Sequence, residues 1–127
     1  MKRCIILTLF VFLASCSTHV IPISKDRLTP HQGPVAVFRS ESEAPAGYRV
    51  VAALTHYDWG KYQRLSIEDA IPILQENARS QGANGIIIDG CEAVYSGIIS
   101  RGIDVKARAI LIKNSSNVYQ NVYQDIK

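Results

Sequence analysis

Cysteine is scarce. The chain carries three, Cys4, Cys16 and Cys91, and two of them fall within the first sixteen residues. Beyond Cys16 a single thiol remains, and one thiol cannot close an internal disulfide. The fold must therefore hold without a covalent staple, even in a compartment that would permit one. An excess of one charge is missing too. Lys2 and Arg3 supply two of the 14 basic residues, which leaves 12 against 11 acidic ones, a net of +1. Those twelve are scattered along the chain, whereas a nucleic-acid binder needs a clustered basic face. The apolar stretch at 4–13 (CIILTLFVFL) has ten residues. As a helix it would span about 15 Å, roughly half a bilayer core, so it is too short to be a transmembrane anchor. No serine nucleophile elbow, phosphate loop or paired-carboxylate motif can be placed. The expectation is a protein that is not an enzyme and carries no cofactor.

What is present begins at the amino terminus. Met1-Lys2-Arg3 is a short basic region, and the apolar stretch follows it, in the order of a secretion signal. Leu13-Ala14-Ser15-Cys16 comes next. This tetrad resembles the lipobox of bacterial lipoproteins: an aliphatic residue, two small residues, then cysteine. The resemblance implies that 1–15 is a cleaved signal peptide and that the Cys16 thiol receives diacylglycerol as the first residue of the mature chain. Two or three acyl chains, at ~0.8 kcal/mol per buried methylene, would hold it on a membrane. Ser17, rather than an aspartate, after the lipid-bearing cysteine implies the outer membrane, facing the periplasm. An ordinary secretory signal cut near Ser15 to Ser17 is the alternative.

Residues 17–33 (STHVIPISKDRLTPHQG) are polar, hold Pro22 and Pro30, and show no period. They read as a flexible tether that would reach about 55 Å if fully extended. Residues 34–113 read as one folded domain. A short β-prone run at 35–39 and a turn at 41–47 precede a longer strand at 48–57. Both faces of that strand carry apolar residues, as in a strand covered on both sides or covered by a partner. Ser66 opens the one convincing helix, with Glu68 and Asp69 in its first turn. Ile67, Ala70, Ile71, Leu74 and Ala78 form its apolar stripe, Pro72 points away from that stripe, and Gly82 is placed to end it. A strand at 85–95 follows. The run 103–113 then alternates cleanly, with Ile103, Val105, Ala107, Ala109 and Leu111 inward and Asp104, Lys106 and Arg108 outward. The expected fold is α+β in the order β-β-α-β-β, a mainly antiparallel sheet with one amphipathic helix on one face. Residues 114–127 form a polar tail, read as a frayed terminus or a docking segment.

The stretch Ala78-Arg79-Ser80-Gln81-Gly82-Ala83-Asn84-Gly85-Ile86-Ile87-Ile88 resembles small bacterial domains of the YbjQ type and the sensor domain of RcsF-type outer-membrane lipoproteins. There an amphipathic helix ends in Gly-Ala-Asn or Gly-Ala-Asp and runs into a hydrophobic strand. Asp89-Gly90-Cys91-Glu92 is similar to a cysteine-bearing RcsF strand. RcsF-type domains use several cysteines in disulfides, and with Cys91 alone redox gating through an internal bridge does not carry over. The YbjQ resemblance implies ring-forming subunits.

Three candidate features stand out. His56 and Asp58 share a strand face and, with Cys91, hold metal-ligand chemistry, but without CxxC or HxxxH spacing the expectation is no metal. Cys91 reads as a buried structural thiol. The run Tyr57-Asp58-Trp59-Gly60-Lys61-Tyr62 reads as a loop. Its Tyr57, Trp59 and Tyr62 either cap the core or form a contact surface. The functional expectation is a non-catalytic, lipid-anchored envelope module. It would bind another envelope protein as sensor, adaptor or assembly part, with self-association into a structural homo-oligomer as the alternative and small-ligand or metal binding as a third.

Overall fold

The computed structural model describes residues 17–60, 66–96 and 100–113; at 59–60, 96 and 100–101 it describes the backbone alone. The signal segment, Cys16, Tyr62 and the tail 114–127 lie outside the described residues. Among the described residues there are five strands and one helix: β1 (Ser17–Pro22), β2 (Ala36–Phe38), β3 (Arg49–Gly60), α1 (Ile67–Ser80), β4 (Gly85–Ser96) and β5 (Ser100–Leu111). A 3-10 turn, Glu41–Glu43, lies between β2 and β3.

The strands form one sheet in the order β1-β3-β5-β4-β2. The pairs β1/β3, β3/β5 and β4/β5 are antiparallel and β2/β4 is parallel. The domain is thus α+β, with a mixed, mostly antiparallel sheet and one helix packed on one face. Alternation along β5 decides what each face holds. Ile103, Val105, Ala107 and Ala109 join Leu54, Ile86, Ile88 and helix residues Ala70, Leu74 and Ala78 in the larger core. Ile110 and Ile112 point the other way and pack with Phe38, Ile87, Tyr48 and Val50.

The helix forms where the apolar stripe places it. Ala70, Leu74 and Ala78 are buried, and Pro72 is exposed. At its start the Ser66 backbone N–H donates to Asp69 Oδ2 at 2.7 Å. At its end Gly82 takes φ +79°, Ala83 N–H donates to Ala78 O at 3.0 Å and Gly82 N–H to Arg79 O at 3.0 Å. That pair of bonds is a Schellman terminator, which satisfies carbonyls the helix leaves open.

The tether reading is corrected for the residues the structure describes. Ser17–Pro22 is an edge strand whose Ser17 stands opposite Tyr57 and whose Pro22 stands opposite Ala52. Val20 and Leu28 pack against the larger core. His31 N–H donates to Arg79 O at 2.9 Å, and Gln75 Nε2 donates to Val35 O at 2.7 Å. The segment showed no period because it changes role every few residues. It pairs as a strand, bends, then wraps the helix by backbone hydrogen bonds that leave no side-chain pattern. The element order is accordingly β-β-β-α-β-β.

Candidate functional site

The sequence singles out His56, Asp58 and Cys91, and the sheet register places them. His56 stands opposite Val105 on one side of β5, and Cys91 stands opposite the same Val105 on the other. Opposed residues share a face, so His56 and Cys91 lie in one row. Two strand spacings, about 10 Å, separate their backbones, and the buried Val105 side chain sits between them. His56 is 1 % exposed, and its Nδ1 lies 2.9 Å from Thr18 Oγ1. The imidazole is occupied in fastening β1 to β3. Asp58 is two residues further along β3, opposite Ile103. Among the described residues no group of three or more His, Cys, Asp or Glu side chains is placed to hold a metal ion.

Cys91 is exposed, not buried as the sequence suggests. It lies past Ile88, the last β4 residue in the helix-side core, on a part of β4 that β2 does not reach. Although the residue is exposed, partial burial of its thiol, and secondarily the charge of Asp104, push the pKa up from its ordinary value. A thiol held protonated is a poor nucleophile. Alkylation of Cys91 in the folded protein should therefore go to completion yet run slower at neutral pH than with free cysteine, accelerating only above the ordinary thiol pKa. Stopped-flow thiol titration across pH measures this; a rate at neutral pH above that of free cysteine would contradict it.

The aromatic run is also corrected. Tyr57, Asp58, Trp59 and Gly60 are not loop but the last four residues of β3, paired with Asp104, Ile103, Gly102 and Arg101. Tyr57 is half-buried. The Trp59 side chain and all of Tyr62 fall outside the described residues. Tyr95, which the sequence did not single out, is 70 % exposed at the same end of the sheet, opposite Arg101.

On the sheet face away from the helix, Arg108 gathers groups that are far apart in sequence. Its Nε donates to Asp89 Oδ1 and Oδ2 at 2.9 and 3.0 Å, and its Nη2 donates to Glu41 Oε2 at 3.2 Å. Tyr48 Oη donates to Glu41 Oε1 at 2.5 Å. These bonds clip the 3-10 turn onto the sheet. The hydrogen bonds from Tyr48 and then Arg108 hold the Glu41 carboxyl below its usual range, and the same bond to Glu41 raises the Tyr48 phenol. Asp89, above all, holds the Arg108 guanidinium charged. Sequence alternation places Arg108 outward but carries no signal for partners 19 and 67 residues away.

A cleft of about 460 Å³ lies between the bend after β1 and the end of the helix, with Lys25, Asp26, Arg27, Leu28, Ser80 and Gln81 in its wall. Asp26 reaches Arg49 at 3.9 Å.

No known family profile and no curated protein matches the chain. Among solved structures it is similar to the Francisella virulence factor FvfA in its orthorhombic crystal form, with 13 % identity and a TM-score of 0.49, over 72 % of this chain and 96 % of that one.

Proposed function

We propose that the chain is a lipid-anchored envelope protein. It is acylated on Cys16, faces the periplasm from the outer membrane, and acts without catalysis as a sensor, adaptor or assembly part that binds another envelope protein. The observation that carries this reading is Leu13-Ala14-Ser15-Cys16 directly after a basic start and a ten-residue apolar stretch. The separation of His56 from Cys91 by β5, and a thiol pKa raised rather than lowered, support the non-catalytic part.

The partner surface lies along β4. Strand β2 pairs with Gly85, Ile86 and Ile87 only. From Ile88 onward, among the described residues, β4 has β5 on one side and no strand on the other. An unpaired edge offers main-chain donors and acceptors to an extended segment of a partner. Tyr95 stands at its far end, with Tyr57 and Trp59 on β3 at the same end and Tyr62 following in sequence. The same edge on a second copy favours the other reading, a homo-oligomer.

Two measurements on the native protein test this. Mass spectrometry of the mature amino-terminal peptide should find diacylglycerol, with or without a further acyl chain, on Cys16; an unmodified peptide starting elsewhere removes the anchor. Crosslinking in cells through photoreactive groups at 93 and 95 should capture one specific envelope protein or a second copy. Capture of neither removes the binding role.

A further inference from the structure

The described residues expose three large hydrophobic side chains, and two of them, Ile21 and Ile23, are 64 % and 54 % exposed on or just past β1. They are five and seven residues from Cys16. The basic residues Lys25 and Arg27, both exposed, follow at once, and Arg49 lies beside them with Asp26 as its partner. A second fact concerns slack. Ser17 is already in register with Tyr57, Thr18 is hydrogen-bonded to His56, and Val20 packs on the core. A single peptide link, about 3.8 Å between Cα atoms, joins Cys16 to this fixed strand. A lipid on Cys16 therefore cannot hold the domain at a distance. At about 3.3 Å per residue, Ile21 and Ile23 stand roughly 17 and 23 Å along the strand from the acylated position.

From these facts we infer that the outer edge of β1 and the bend after it rest on the lipid surface. Ile21 and Ile23 enter the boundary between headgroups and acyl chains, and Lys25, Arg27 and Arg49 meet anionic headgroups. This rests on acylation of Cys16 as proposed above. Membrane-resting surfaces combine apolar side chains with neighbouring cations in this way. A protein strand is the less suitable occupant of the edge, because Pro22 removes an amide from it, and proline on an edge blocks strand addition. The arrangement also leaves β4, three strands and about 14 Å away, free to meet a protein.

The test uses the native acylated protein in vesicles of phosphatidylethanolamine and phosphatidylglycerol, with acylation of Cys16 checked by mass. In a Cys91→Ser background, an environment-sensitive fluorophore on Ile23→Cys should shift to the blue and be quenched by brominated lipid. The same fluorophore on the natural Cys91, which lies in the helix-side row with His56 and across the sheet from β1, should keep its emission in water. In the labelled Ile23→Cys protein, changing Lys25→Gln and Arg27→Gln should lower the docked-to-undocked ratio about five-fold per lost cation, and vesicles of phosphatidylcholine alone should do the same. A water-like signal at position 23 in a protein whose Cys16 is acylated overturns this inference and leaves the anchor standing. A missing acyl mass overturns both. A blue shift that grows with protein concentration in detergent, without vesicles, assigns the edge to a second copy and also overturns it.

Discussion

Asn84→Ala should lower the unfolding free energy by about 2–6 kcal/mol, the sum of the penalties for two buried backbone groups left without partners. Asn84 is buried between the helix exit and β4. Its Nδ2 donates to Ile112 O at 2.9 Å, and Ile112 N–H donates to its Oδ1 at 2.7 Å. The amide thus substitutes for a strand residue and continues the β4/β5 ladder past the last backbone pair. Its own backbone bridges further, with Asn84 N–H donating to Ile110 O at 3.1 Å and Ala36 N–H donating to Asn84 O at 3.0 Å. One residue therefore joins the starts of β2 and β4 to the end of β5. Alanine keeps the backbone bonds and strands both polar groups of Ile112 in an apolar setting. Urea titration followed by circular dichroism reads the loss, and a change under about 1 kcal/mol would show that water reaches those groups. Asn84→Asp adds a sign. Burial raises a carboxyl pKa, and the protonated acid regains a donor for Ile112 O. A group whose folded pKa is raised stabilises below its unfolded pKa and loses that contribution as pH rises through the folded value. Asn84→Asp should therefore be near wild type in acid and fall toward Asn84→Ala at neutral pH.

Gly82→Ala should cost about 3 kcal/mol, or roughly 10–20 °C in Tm for a domain of this size. Two causes add. At φ +79° an alanine sits in the left-handed region, at a cost of about 1 kcal/mol or more. Its Cβ would also stand 2.5 Å from Leu28 Cβ and 2.8 Å from Thr29 O. The second contact is backbone, so no side-chain rotation relieves it, and the segment that wraps the helix must move away. Differential scanning calorimetry reads the stability. Limited trypsin digestion reads the displacement, because Lys25 and Arg27 lie in that segment and should be cut faster in the variant. A lower Tm with unchanged cleavage would mean that the helix terminator matters and the wrapping segment does not depend on it.

Both residues belong to the Gly82-Ala83-Asn84 turn, and they mark the limit of what is legible in one sequence. Gly82 was readable as a terminator, because the need for a positive φ after an amphipathic stripe is a local rule. The close approach of Leu28 to Gly82 was not readable, since nothing near Leu28 records which glycine it meets. Asn84 was readable only as a letter in a resemblance. Its partner is the backbone of Ile112, and a backbone group has no letter of its own. The same reasoning applies to β1. Strands announce themselves by alternation when one face is buried and the other wet. In β1 no residue is fully buried and half-buried and exposed positions do not alternate strictly; Val20 is its one apolar contact to the core, and the pattern is too faint to find.

The candidate site divides along the same line. Local chemistry determined the helix with its stripe and cap and the alternation of β5, and it carries the proposed signal and lipobox at Cys16, because each depends on residues within a few positions of one another. The tertiary structure alone decided that β5 separates His56 from Cys91, that Cys91 is exposed on an edge, that Arg108 clips the Glu41 turn to the sheet, and that Ser17–Pro22 is an edge strand rather than tether. Each of those depends on which strand lies beside which, a long-range choice made by burying Leu54, Leu74, Ile86 and Val105 together. The cysteines are thus read from two sources: sequence order alone carries the proposal of a lipid on Cys16, and strand order leaves Cys91 exposed on β4.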